Sequence, residues 1–255
     1  MKAALVTGGG RRIGATIARA LAAQGYALAL HCHRSRAEAE ALASELSATG
    51  ARVAVLTADL ADATALAGLV HEAAKAIGPL TLLVNNAALF EDDRIGSLDP
   101  ALFDRQMAVN LRAPLLLPEA FAGQAPTGSG IVNLIDQRVL KPTPNHVSYA
   151  LSKAGLWMAT RLLAQALAPR IRVNAVAPGP TLPNWQEGAE AFARESATVP
   201  LAAPVTPEAV AEAVVYLAGA MHTTGQMIAV DSGQHLAWRT PDVVAVEEVS
   251  DKRDG

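Results

Sequence analysis

One cysteine, no long uncharged apolar run and no basic excess: this 255-residue chain is marked first by what it lacks. With Cys32 alone, no disulfide can close within the chain, and a reducing compartment, the cytoplasm, is the expected location. The run before the first glycines, MKAALVT, is too short for a secretory signal, and no later stretch is long and uncharged enough to cross a bilayer. No membrane association is expected. The net charge of −3 offers no general attraction to polyphosphate, and no helix is rich in lysine or arginine, which argues against nucleic acid as a partner. No metal site is expected either.

Apolar residues make up 51% of the chain and charged residues 18%, a balance that suits a sheet covered on both faces. Short β-rich apolar runs recur at 3–7, 27–31, 52–58, 80–86, 131–136, 171–177 and 227–231, with helical periodicity between them, as at 36–48 and 62–76. This alternation predicts an α/β single-domain Rossmann fold: a doubly wound seven-stranded parallel sheet, helices on both faces, ligands at the carboxyl edge. Residues 1–239 read as that one domain. Within it, 178–206 carries five prolines and weak periodicity, and reads as a substrate loop with a short helix over the carboxyl edge. Residues 240–255 read as a C-terminal tail, either frayed or an arm on a neighbouring subunit.

The stretch TGGGRRIG (7–14) joins the first strand to a helix beginning near Ile13. Such a turn offers backbone N–H groups, here around Gly8, Arg11 and Ile13, and a helix amino terminus to a pyrophosphate. Arg12 stands where a dinucleotide-binding turn normally has its second glycine. About 20 residues past the last glycine, NAD sites place an acid and NADP sites an arginine. Here that count reaches Arg34, in HCHRSR (31–36), which has no carboxylate. His33, Arg34, Ser35 and Arg36 suit a 2′-phosphate, and basic residues at a helix start make sense beside a bound anion. NADP(H) is therefore the expected cofactor, its site completed by Asp59, Leu60, Asn86, Ala87, Pro178 and Gly179.

Tyr149 and Lys153, four apart in a helix opening near Ser148, share a face, so the ammonium is expected to lower the phenol pKa and make Tyr149 a usable acid. TGxxxxxG, NNA (85–87), Asn110, YxxxK and PG (178–179), in this order, resemble the short-chain dehydrogenase/reductases over nearly the whole chain. That resemblance implies hydride transfer at nicotinamide C4, with Tyr149 as acid/base. It gives Lys153 the tasks of lowering the Tyr149 pKa and holding the nicotinamide ribose, and gives Asn110 the support of a proton-relay water. Where the family has its serine, 13 residues before the tyrosine, this chain has Asp136. A carboxylate there would repel the oxyanion of a ketone being reduced. It suits a substrate protonated at nitrogen, because it can relay protons and accept from N–H donors.

Arg12, LHCHRS (30–35), Phe90 and Asp136 together resemble the pteridine reductase branch. This implies that Arg12 reaches toward cofactor phosphate and pterin, and that Phe90 sandwiches the pterin against nicotinamide. Asp136 then works with Tyr149; the loop at 180–200 has its own sequence, and its Trp185 is a candidate substrate-site residue. The chain departs from that branch at Ala88 and Leu89, where serines are usual, and at DSG (231–233) in place of DGG. The expected function is NADPH-dependent reduction of a C=N bond in a pterin-like substrate, such as a dihydropterin or dihydrofolate. The alternatives are a carbonyl reductase of the same family and a non-catalytic NADP-binding sensor, against which intact Asn110, Tyr149 and Lys153 argue. Helix 149–168 is apolar nearly all round, which implies a buried helix–helix interface; the family resemblance suggests a homo-oligomer, a dimer or tetramer, through this helix and the one near 101–122.

Overall fold

The computed structural model describes residues 2–183 and 188–238. Seven strands, β1 (Ala3–Val6), β2 (Ala27–Cys32), β3 (Val53–Thr57), β4 (Leu82–Asn85), β5 (Ser129–Leu134), β6 (Ile171–Pro178) and β7 (Met227–Val230), form one parallel sheet in the order β3-β2-β1-β4-β5-β6-β7. Every residue of β1, β2, β4 and β5 is buried, which is why these strands read as continuous runs and not as alternating ones.

The helices are α1 (Arg12–Ala23), α2 (Arg36–Ala48), α3 (Ala63–Ile77), α4 (Pro100–Met107), α5 (Ala113–Gln124), α6 (Val147–Leu167), α7 (Gly188–Ala197) and α8 (Pro207–Gly219). On one face Ile17 and Leu21 of α1, Leu42 and Leu46 of α2 and Val210 and Leu217 of α8 pack with Val6, Leu28 and Leu30. On the other, Leu66 and Ile77 of α3 and Leu117 and Phe121 of α5 pack with Leu5, Leu83 and Ile131. The result is the three-layer, doubly wound arrangement that the alternation predicts. Helix starts follow local chemistry: Asp62 and Asp99 accept from the N–H groups of Thr64 and Ala101, both at 2.9 Å, and Pro100 fills the first position of α4.

Between α4 and α5 the backbone widens into a π-helical turn, Ala108–Arg112. Pro114 has no N–H to return to the carbonyl of Asn110, so the tighter i to i−4 ladder is broken there. Asn110 is carried inward on this turn, with no exposed surface. The strand order reverses between β1 and β4, and the turns leaving their carboxyl ends part to form a crevice. The 178–206 segment, with α7 inside it, follows the carboxyl end of β6. Among the described residues no helix is long and apolar enough to cross a membrane. Trp185, the boundary at 239 and the tail 240–255 lie outside the described residues.

Candidate active site

Two adjoining lobes, of about 590 and 570 Å³, open along the crevice, and Arg11, Arg12, Ile13 and Asn86 line both. The second lobe is built on the glycine turn. Gly8 has φ +62°, and a Cβ there would lie 3.1 Å from the Ala87 Cα; at Gly14 it would lie 2.1 Å from the Gly8 carbonyl oxygen. Helix α1 can start this close to β1 only because these positions are bare. Asn86 stitches the crevice by donating to the carbonyls of Thr7 at 2.8 Å and Gly8 at 3.1 Å. The Gly8 N–H donates to His31 Nδ1 at 3.2 Å, while His31 Nε2 lies 3.1 Å from the Ala58 carbonyl. This assigns the proton to Nε2. Burial lowers the pKa of the His31 ring, so it is a neutral strut.

Arg12 holds φ 52°, the left-handed region that costs a non-glycine residue about 1–2 kcal/mol. Its Nη2 donates to the Pro183 carbonyl at 3.2 Å. Thus the residue replacing a glycine keeps the backbone shape of one and sends its guanidinium from the turn to the 178–206 segment. The same lobe is lined by Ala87, beside the glycine turn, and by His33, Arg34, Ser35, Asp59 and Leu60. Arg36 is taken up by Glu40 at 2.8 Å, and His33 Nε2 is 3.9 Å from Asp59 Oδ2. Arg34 is exposed and, among the described residues, has no acidic partner. A bare glycine cradle and an unpaired arginine in the same lobe fit the pyrophosphate and 2′-phosphate of a dinucleotide.

The first lobe holds Phe90, Asp136, Tyr149, Lys153, Pro178 and Gly179. Asp136 ends β5 by capping a short 3₁₀ turn, Oδ1 accepting from the Arg138 N–H at 2.8 Å. Its Oδ2 accepts from the Tyr149 hydroxyl at 3.0 Å and from Arg138 Nη1 at 3.2 Å. Phe90 meets Tyr149 edge-on with centroids 4.6 Å apart, and Arg138 lies 5.5 Å over the Phe90 ring. Lys153 Nζ donates to the Leu134 carbonyl at 2.7 Å.

The electrostatics correct one expectation. Burial and then the Asp136 carboxylate push the Tyr149 phenol well above its ordinary range, with Arg138 opposing. Lys153 does not lower it: burial brings the lysine itself down to about 8, against the pull of Asp136. Burial is the larger cause, and the negative charge 3.0 Å away at Oδ2 adds to it. Tyr149 is therefore a firmly protonated donor facing an acceptor.

Asn110 lines neither lobe. Its carboxamide donates to the Leu89 carbonyl at 2.9 Å and Ser152 Oγ at 3.1 Å, and accepts from the Leu89 N–H at 2.8 Å, clamping the chain after β4 to α6. Three residues unforeseen in the sequence belong to this wall. Arg138 joins Asp136 to Phe90, Glu195 of α7 approaches Arg138 Nη2 at 4.0 Å, and the His146 ring packs on Phe90 at 4.4 Å. The only local signal was the place of Arg138 two residues past Asp136.

The family described as enoyl-(acyl carrier protein) reductase matches residues 9–235. The chain belongs to the short-chain dehydrogenase/reductase family. It is 32% identical over 242 residues to a 3-oxoacyl-[acyl-carrier-protein] reductase FabG of Staphylococcus aureus, covering 92% of this chain and 98% of that one. Among solved structures it resembles FolM alternative dihydrofolate reductase 1 from Brucella canis, complexed with NADP. That likeness has 49% identity and a TM-score of 0.91, covering 95% of this chain and 97% of that one. The Brucella suis counterpart, also in complex with NADP, has 48% identity and a TM-score of 0.88, with 95% and 98% coverage. The pteridine reductase-like branch expected from Arg12, Phe90 and Asp136 is thus the one these structural neighbours represent.

Proposed function

We propose that this short-chain oxidoreductase reduces a C=N bond of a pterin-like heterocycle, with NADPH as its cofactor. The observation that carries the reading is the pairing of Asp136 Oδ2 with the Tyr149 hydroxyl at 3.0 Å. A ketone develops an oxyanion, which a neighbouring carboxylate opposes; a reduced C=N bond develops charge on nitrogen, which takes a proton. Bound NADPH supplies the hydride and its electron pair to the imine carbon.

The chain's own residues supply the rest. Gly8, Arg11, Ile13, Asn86 and Ala87 hold the dinucleotide turn, with Asp59, Leu60, Pro178 and Gly179 beside it, and His33, Arg34 and Ser35 take the 2′-phosphate. Lys153 holds the ribose. Tyr149, kept protonated by burial and by Asp136, gives its proton to the substrate nitrogen, and Asp136 binds or relays protons to the heterocycle. Phe90 provides the flat wall, Arg12 joins the lobes, and Asn110 fixes the wall from behind. The 178–206 loop, with Trp185, covers the substrate, and 1–239 is the catalytic domain. Leu151, Met158 and Leu162 of α6 and Leu116 of α5 are exposed, which supports a dimer or tetramer joined through these helices.

Likeness to a 3-oxoacyl-[acyl-carrier-protein] reductase favours a second reading, a carbonyl reductase. NADPH absorbance followed with a 7,8-dihydropterin, a ketone panel and an NADH control separates the two. NADPH-specific loss with the pterin is expected, and activity on ketones alone would overturn the pterin assignment.

A further inference from the structure

The hydrogen-bond inventory of Asp136 leaves little room for a substrate. A carboxylate oxygen has two lone-pair directions. Oδ2 spends one on the Tyr149 hydroxyl at 3.0 Å and the other on Arg138 Nη1 at 3.2 Å. Where the Tyr149 hydroxyl keeps its bond, a ring N–H arriving at Oδ2 takes the place of Arg138. That guanidinium also lies over the Phe90 ring at 5.5 Å, where a stacking heterocycle would compete with it. A second acceptor stands ready, since Glu195 Oε1 is 4.0 Å from Arg138 Nη2 and is held in place by Gln234 Nε2 at 2.7 Å. Glu195 belongs to α7, in the segment over the cavity.

We propose that Arg138 is a positioning and specificity residue that occupies the substrate's place on Asp136 and is handed to Glu195 when a heterocycle with N–H donors binds, fastening α7 over the site. This rests on the pterin reading. In the free protein Arg138 orients Asp136 toward Tyr149 and shields its charge. A ligand N–H replaces the one hydrogen bond that Arg138 Nη1 gives up, and the ligand ring replaces the guanidinium over Phe90, so the exchange is balanced. A ketone brings only an acceptor, leaves Arg138 where it is, and gains no closed loop. Arg138 thus works against carbonyl substrates by the same bond that it yields to amino-heterocycles.

The test uses NADP⁺-loaded enzyme, so that no turnover occurs, with 2,4-diaminopteridine as the donor-bearing probe and 1-tetralone as the acceptor-only control. Hydrogen exchange of the amides in 188–197 and the probe's dissociation constant are measured in the wild type, Glu195→Gln, Arg138→Gln and Arg138→Lys. Expected is slowed exchange with diaminopteridine and none with tetralone. The slowing disappears in Glu195→Gln and Arg138→Gln and partly returns in Arg138→Lys, a rescue that a merely structural arginine would not show. NADP⁺ affinity stays constant, and Glu195→Gln binds the probe about fivefold more weakly, as for a half-exposed ion pair. If both glutamine variants bind the probe with the same slowing as wild type, the exchange is wrong and the pterin reading stands. If the wild type binds no diaminopteridine, both fall.

Discussion

Replacing Asp136 by asparagine removes one charge while keeping the shape of the side chain. Its Oδ1 can still accept the Arg138 N–H, now at 2.8 Å, so the 3₁₀ turn is retained. What goes is the acceptor at Oδ2, which serves the Tyr149 hydroxyl and Arg138 Nη1. An amide nitrogen there would face two donors. Hydrogen bonds to charged groups contribute about 1.5–3 kcal/mol each, so losing the one that a substrate N–H would make lowers kcat/KM for a dihydropterin about 10- to 100-fold. Ketones should respond in the opposite direction. Unit charges about 5 Å apart at an effective dielectric of about 20 repel by about 3 kcal/mol. Arg138 already offsets part of this, so a gain of about tenfold on ketones is expected. Steady-state kinetics on both substrates, with NADPH dissociation constants from fluorescence titration, provide the assay. The NADPH constant should stay within about twofold, since the carboxylate lies outside the phosphate cradle. Pterin and ketone kcat/KM falling together, or neither moving, would refute the division of labour argued here.

Three further outcomes follow from the geometry. Arg34→Ala should weaken NADPH binding about tenfold and leave NADH unchanged, because an unpaired arginine facing a 2′-phosphate forms charge-assisted bonds that NADH does not use; equal losses for both cofactors in parallel titrations would contradict its assignment. Lys153, brought down to about 8 by burial, binds fewer protons folded than unfolded between about pH 8 and its ordinary value of 10.5. Its penalty is therefore fully present below about pH 8 and is relieved as pH rises through that window. Lys153→Met should accordingly be about 1–3 kcal/mol more stable than wild type at pH 7, less so at pH 10, and inactive; a urea-denaturation gap that does not shrink with pH would show the lysine to be unperturbed. Arg12→Gly should raise Tm by a few degrees, through relief of about 1 kcal/mol of left-handed strain, while raising KM for the heterocycle; a lower Tm would mean that the bond to Pro183 outweighs the strain.

The sheet was legible because burial on both faces turns strands into continuous apolar runs, but their limits were set by other forces. β5 begins at Ser129 and Gly130, small residues with no hydrophobic signal, and stops at Leu134 because Asp136 turns back to cap the 3₁₀ turn. The helix read at 101–122 hides a π-helical turn, whose cause, a proline without an N–H, is visible, but whose effect on Asn110 depends on three-dimensional packing. At the site, Tyr149 and Lys153 could be set on one helix face from their spacing, and placed at the site from their position after the fifth strand. The direction of the Tyr149 shift could not, because it depends first on burial and then on the Asp136 carboxylate, which comes from another element. Arg138, Glu195 and His146 escaped notice for a related reason: they matter only once α7 and the loop after β4 close over one side chain.

The two departures from the family pattern share a physical logic. Arg12 keeps the left-handed backbone of the glycine it replaces, and Asp136 keeps a hydrogen bond to the Tyr149 hydroxyl. The Arg12 backbone is held by the close start of α1 against Gly8, and Asp136 is held through its own Oδ1, which accepts the Arg138 N–H and leaves Oδ2 for Tyr149. Chemistry is thus exchanged on a nearly fixed frame. A charge placed on this frame still needs a partner: the Pro183 carbonyl accepts from the Arg12 guanidinium, and Arg138, two residues on, pairs with the Asp136 carboxylate. The consequence is that specificity in this site is spread over pairs. Substituting Asp136 by serine alone would leave half-buried Arg138 with Glu195, 4.0 Å from Nη2, as its nearest acid, so on the pterin reading a shift to ketone reduction is expected to need both residues changed together.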